Sequence, residues 1–249
     1  MTTVRILFGS PSSPWDLSRW EPVDDRLRGG SSTSHLETMT LPSGSRTGGV
    51  RFYGDLDTKT LGGAGFASQS YRHAVPLAAD EYKGISFIYQ PKTSPVAKEP
   101  TRFTFILKSA LVSTRPDGRR ESTISYEYTF DSSSSACDKL ENTSGPVPVE
   151  LRIPFRDFQA TYRGRPQPDA EPLNSAEIKE LSIMCRSDFD KQSGPFELIV
   201  ESIGAIHSES REGLQDLYGE KTTLVGRAGA EGSSGVLVRL SSLIRGLCG

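Results

Sequence analysis

Cysteine is scarce, odd in number and scattered: Cys137, Cys185 and Cys248 are all there is. A disulfide framework or a zinc site needs pairs at short spacing, so reduced thiols and a cytoplasmic location are expected. Histidine is as sparse (His35, His73, His207) and has no close His or Cys neighbour, which argues against a transition-metal site. An excess of one charge is also missing, with 29 Lys and Arg against 31 Asp and Glu and a formal net charge of −2. Nucleic acid calls for a clustered basic face, so no nucleic-acid partner is expected. No run of 18 apolar residues occurs, and no membrane-spanning helix is expected. The opening MTTVRILFGSPSSPWDLSRW reads as a poor transit peptide and a worse secretion signal. In that setting the Asn142-Thr143-Ser144 sequon is read as chance.

Glycine (24) and proline (16) are plentiful, while only 35% of the residues are hydrophobic. That balance favours many short strands and turns over long helices. A chain of 249 residues buries roughly 70% or more of its unfolded surface, enough to fold without metal or disulfide. Strand-like runs recur between Gly, Pro, Asp and Ser clusters: GVRFYGDLDT, GGAGFASQSY, KGISFIYQ, TRFTFILKS, STISYEYTF, VPVELRIPF, IKELSIMCRS and GPFELIVESIGAI. Each is aromatic or β-branched with a period near two, the mark of half-buried antiparallel strands. The first two are close enough in sequence for a hairpin. Eight or nine such strands predict an all-β, jelly-roll β-sandwich.

Alternation assigns faces. In TRFTFILKS, Phe103, Phe105 and Leu107 share the core side, and Arg102, Thr104, Ile106 and Lys108 the other. In STISYEYTF, Ile124, Tyr126, Tyr128 and Phe130 oppose Thr123, Ser125, Glu127 and Thr129. The expected organisation is an N-terminal arm over 1–19, the sandwich over 20–207, a Gly-rich linker over 208–235, and a short C-terminal helix over 236–249. In that last piece Val236, Leu237, Leu240, Leu243, Ile244 and Leu247 fall at helical spacing. The helix would dock on its own sandwich, on a twin subunit to give a homo-oligomer, on another partner, or on a membrane surface.

WEPVDDRLRGGSSTSHL, FYGDLDTKTLGGAGFASQ, YKGISF, FTFILKS, ISYEYTF, IPFRDFQATYRGRP and IKELSIMCRSDFDKQSGPFELIVESIGAI, in that order, resemble the complex I intermediate-associated protein family. The resemblance covers about Trp20 to His207. It implies a galactose-binding-domain-like jelly roll, related in architecture to carbohydrate-binding modules, in a family named for a thirty-kilodalton mitochondrial assembly factor. Free-standing cytosolic members with a DDRxRGGSS opening look most similar. Tyr126 stands where similar sequences often carry Trp, and QSYRHAVPLAADEY departs from the usual connection.

Within DDRLRGGSSTSHL, Asp24, Asp25, Arg26 and Arg28 form either a polar reaction site or a turn network of ion pairs, with Gly29 and Gly30 supplying unusual backbone angles. RGGSSTSHL lacks the lysine and helix of a phosphate loop. GGAGFASQ is mis-spaced for a dinucleotide fingerprint. Ser34, His35 and Asp25 could form a nucleophile system only without the usual elbow. Asp16, Asp55 or Glu201 could hold a structural calcium; otherwise no cofactor is expected. Gln69, Lys108, Glu127 and Arg186 come from four strands and are expected to converge on one concave outer face as a ligand cleft. Tyr53 or Tyr89 could stack on a flat ligand. The resulting expectation names Asp25, Lys108 and Glu127 as catalytic groups. Arg28, Ser34, His35, Tyr53, Gln69, Tyr89 and Arg186 are the expected ligand contacts. Three functions fit: a module binding a small molecule or partner protein, a cofactor-independent cyclase or isomerase, or a sugar-binding module.

Overall fold

The computed structural model describes residues 3–41, 48–92, 99–111, 116, 121–133 and 147–208. The linker beyond Ser208, the terminal helix expected over 236–249, Cys137 and Cys248 lie outside the described residues. Strands run in chain order as β1 (Val4–Phe8), β2 (Trp20–Pro22), β3 (Thr33–Met39), β4 (Gly49–Leu56), β5 (Phe66–Tyr71) and β6 (Tyr82–Gln90). They continue as β7 (Arg102–Lys108), β8 (Ser125–Asp131), β9 (Val149–Pro154), β10 (Gln159–Tyr162), β11 (Arg165–Pro166), β12 (Glu180–Arg186) and β13 (Gly194–His207).

They form two antiparallel sheets of a jelly roll. The first has the order β3-β4-β13-β6-β9, with β1 beside the far half of β13; the second has the order β11-β10-β8-β7-β12-β5-β2. The period-two pattern explains the layers, because every inward residue of β7 and β12 is apolar. Phe103, Phe105, Leu107, Leu181, Ile183 and Cys185 are all fully buried. They meet Phe52, Ile85, Phe87 and Leu198 of the first sheet. Ring contacts cross the interior at Phe52–Phe103 (6.2 Å), Phe87–Phe105 (5.4 Å) and Phe87–Phe130 (5.4 Å). Each buried phenylalanine stabilises the sandwich by about 1.5–3 kcal/mol.

Two sequence expectations change. The hairpin between GVRFYGDLDT and GGAGFASQSY does not form. β4 spends both edges on β3 and β13, and β5 spends both on β12 and β2, so the chain crosses between sheets there. The arm expected over 1–19 is not separate either. Val4–Phe8 adds a strand on β13, and Phe8 packs with Trp15, Trp20 and Tyr71 at centroid distances of 4.9–5.5 Å. An unpaired far half of β13 would leave backbone donors and acceptors open, and β1 covers them.

Candidate functional site

DDRLRGGSSTSHL turns out to be a clasp. Asp25–Arg28 is a single 3-10 turn closed by Gly29 at φ 85°. It delivers two adjacent carboxylates between the edges of the two sheets. Asp24 accepts from the backbone N–H groups of Ser34 in β3 (3.2 Å) and Ser68 in β5 (3.1 Å), and from the Ser34 hydroxyl (2.6 Å). Asp25 accepts from the N–H groups of Ser32 (3.0 Å) and Phe66 (3.2 Å), and from the Ser32 hydroxyl (2.7 Å). Charge-assisted bonds of this kind are stronger than neutral ones, and four of these tie backbone to backbone across the layers. Gly30 has to be glycine, because a Cβ there would sit 2.3 Å from the Asp25 carboxylate.

Asp25 therefore faces the clasp and not the cleft, which corrects its expected catalytic role: it is fully buried and its carboxylate is engaged by three hydrogen bonds. Ser34 and Gln69 are corrected on the same ground. Gln69 points inward and donates to the Ser34 carbonyl (3.1 Å), because the neighbouring Ser68 and Ser70 take the outer face of β5. Tyr89 is a core residue whose hydroxyl reaches the Asp131 carbonyl (3.4 Å), and burial raises its pKa. His35 and Tyr53 meet as a tilted ring pair at 5.3 Å on the outer face of the first sheet, outside the lining of the cleft. Arg51 lies over the Tyr53 ring at 4.2 Å.

Lys108, Glu127, Arg186 and Arg28 do come together, in a cleft of about 660 Å³ on the outer face of the second sheet. Register explains how. One row across the sheet reads Ser70, Ser182, Ile106, Glu127, and the next reads Ser68, Met184, Thr104, Thr129. Glu180 pairs with Lys108 beyond one end, and Arg186 with Phe66 beyond the other. The turn around Arg163–Pro166 forms one wall, Val23 and Arg28 the opposite one.

The floor carries two ion clusters with an apolar strip between them. Glu180 accepts from Lys108 Nζ on Oε1 (2.6 Å) and from Arg72 Nε on Oε2 (3.2 Å). Glu127 accepts from Arg186 Nη2 (2.5 Å) and from the Thr161 hydroxyl (2.7 Å). Arg186 also donates to Thr104 Oγ1 (2.9 Å). Ile106 and Met184 form the strip. Glu180, Arg72, Ile106 and Met184 were not among the expected site residues. The signal for Glu180 and Met184 was present, since both share the parity of Arg186 in ELSIMCR.

Chemically, the cleft offers fixed acceptors and fixed donors side by side. A ligand hydroxyl can donate to Glu180 or Glu127 while accepting from Lys108, Arg72 or Arg186. Neither carboxylate stands free as a base, for each already holds a cation. Cys185 lies under the floor on the core side, where burial pushes its thiol well above its ordinary pKa. Among the described residues no group of three or more His, Cys, Asp and Glu side chains is placed to hold a metal. Asp16 accepts from its own neighbour Ser18, and Glu201 accepts from Gln90, on separate elements. No helix among the described residues is long and apolar enough to cross a membrane.

Comparison with known proteins agrees with this architecture. An uncharacterised protein of Schizosaccharomyces pombe is 39% identical over 203 residues, 81% of this chain and 83% of that one. The family 11 carbohydrate-binding module of a cellulosomal cellulase of Clostridium thermocellum superposes with a TM-score of 0.52 at 14% identity, over 84% of this chain and 96% of the module. A second structure of that module, in complex with a β-1,3-1,4-mixed-linked tetrasaccharide, gives 0.47 at 17% identity, over 76% and 88%. At 14% identity the first of these likenesses is one of fold. The family model for Complex I intermediate-associated protein 30 matches residues 6–200, and the chain belongs to that family.

Proposed function

We propose that this jelly roll is a binding module whose cleft takes a hydroxyl-rich ring ligand, a saccharide in chemical class. The observation that carries the reading is the alternation on the floor: an ion cluster at Lys108–Glu180–Arg72, the Ile106–Met184 strip, and a second cluster at Arg186–Glu127. A sugar ring presents that pattern in reverse, with an apolar C–H face flanked by hydroxyls that donate and accept at once. Paired charges suit a neutral ligand, because neither ion is left uncompensated when water leaves. In this reading Lys108 and Glu127 bind and do not react.

A protein partner would ask for a cluster of aromatic and aliphatic anchors. The large apolar side chains exposed among the described residues are Leu111, Tyr162 and Phe189; two of them, Leu111 and Phe189, line the cleft, too few for such a cluster. The family name points to assembly of respiratory intermediates, and the cleft chemistry favours a small ligand over that role. The reading places the protein in the cytoplasm, where three scattered cysteines stay reduced.

Titration calorimetry with cellotetraose, laminaritetraose, mannotetraose and the mixed-linkage β-glucan tetrasaccharide tests it. At least one should give saturable binding, and Met184→Arg, which sends a cation across the strip, should weaken that binding by about tenfold or more. Equal affinity in the folded variant would remove the cleft from the function.

A further inference from the structure

Among the described residues, three of the four non-glycine residues with positive φ are consecutive: Asp188 (47°), Phe189 (58°) and Asp190 (64°). Aspartate tolerates the left-handed region, but phenylalanine rarely enters it. The turn is nonetheless held firmly on both sides. The Ser187 hydroxyl and the Asp190 N–H both donate to the Gly63 carbonyl (2.8 and 3.0 Å). Asp188 pairs with Arg102 at 3.1 Å. The buried Gln192 side chain accepts from the N–H groups of Thr101 and Arg102 and donates to the carbonyls of Arg102 and Arg186.

All this fixes one side chain in the open. Phe189 is 86% exposed, far above the next large hydrophobic, Tyr162 at 37%. It lines the mouth of the cleft beside Arg186 and Ser187. Its ring packs against no other ring among the described residues, so the fold gains little from it. A bulky apolar group in a disfavoured backbone, exposed to water yet rigidly anchored, fits a contact made with something else.

We infer that Phe189 is the stacking platform of the cleft, covering the C–H face of the saccharide ring nearest the Arg186–Glu127 cluster. The inference rests on the ligand reading above and adds how the ring is gripped. The floor supplies hydrogen bonds and a narrow aliphatic strip. Phe189 supplies the flat aromatic face that a pyranose C–H face covers. Because the turn is set in advance, the ligand need not order it on binding.

The test compares wild type, Phe189→Ala, Phe189→Trp, Phe189→Gly and Met184→Arg by calorimetry and by saturation-transfer NMR, with the same four tetrasaccharides. Phe189→Ala should lose about tenfold or more in affinity, together with saturation transfer to the C–H protons of one ring, while Phe189→Trp keeps both. Phe189→Gly should lose the same binding yet melt higher, by about 2–4 °C, because glycine relieves the left-handed turn. If Phe189→Ala binds as wild type does while Met184→Arg does not, the platform is overturned and the cleft reading stands. If wild type binds none of the four, both are overturned.

Discussion

Asp25 shows how one residue type serves either chemistry or structure, with its neighbours deciding. Two adjacent acids beside two arginines read as a reaction site, but Ser32, Ser34, Phe66 and Ser68 turn four backbone N–H groups toward them. Nothing in DDRLRGGSSTSHL indicates that Phe66 and Ser68 will arrive from thirty or more positions later. Asp25→Asn puts an amide donor where the carboxylate accepts, leaving a buried N–H opposed. It should cost about 2 kcal/mol, from the ~1.5–3 kcal/mol of hydrogen bonds to a charged group, and lower Tm by several degrees. Saccharide affinity should stay within twofold of wild type. Thermal melts and calorimetry on one preparation check both, and lost binding with an unchanged Tm would return Asp25 to the site.

The elements differ in how plainly they could be read. β7 and β12 were clear because large apolar residues occupy every second position, which also fixed Lys108 and Arg186 on the outer side. β5 was not: Phe66, Ser68 and Ser70 face out while Ala67, Gln69 and Tyr71 face in, so neither side reads as purely apolar. Arg28 lies over the outward, half-buried Phe66 ring at 5.4 Å and covers part of it. Tyr53 was correctly on a polar face, yet alternation does not say which sheet a face belongs to. Phe189 gave no signal, since a lone apolar residue in the polar run RSDFDKQSG forms no period. At this scale β1 carries the clearest consequence. Phe8 bridges the first sheet to Trp15, Trp20 and Tyr71, so Phe8→Ala should cost about 3–5 kcal/mol. Denaturant melts would show it; a loss below about 1 kcal/mol would mean that the arm merely decorates the sandwich.

For the whole molecule, the family block and the cleft adjoin, sharing Arg28, Phe66 and Ser68. The clasp at Asp24 and Asp25 ties the sheets at one edge, and the cleft with its two ion clusters lies across the middle of the second sheet. The outer face of the first sheet carries its own polar group, with Arg51 bonded to Glu197 and Glu37 and Tyr53 to Glu37. That face has a tilted His35–Tyr53 ring pair and is the natural competitor for any ligand. Amide chemical-shift mapping with the tightest-binding tetrasaccharide separates the two directly. The account predicts shifts at Thr104, Ile106, Glu127, Ser182, Met184 and Phe189, with His35, Arg51 and Tyr53 unmoved. Shifts confined to His35, Arg51 and Tyr53 would contradict it.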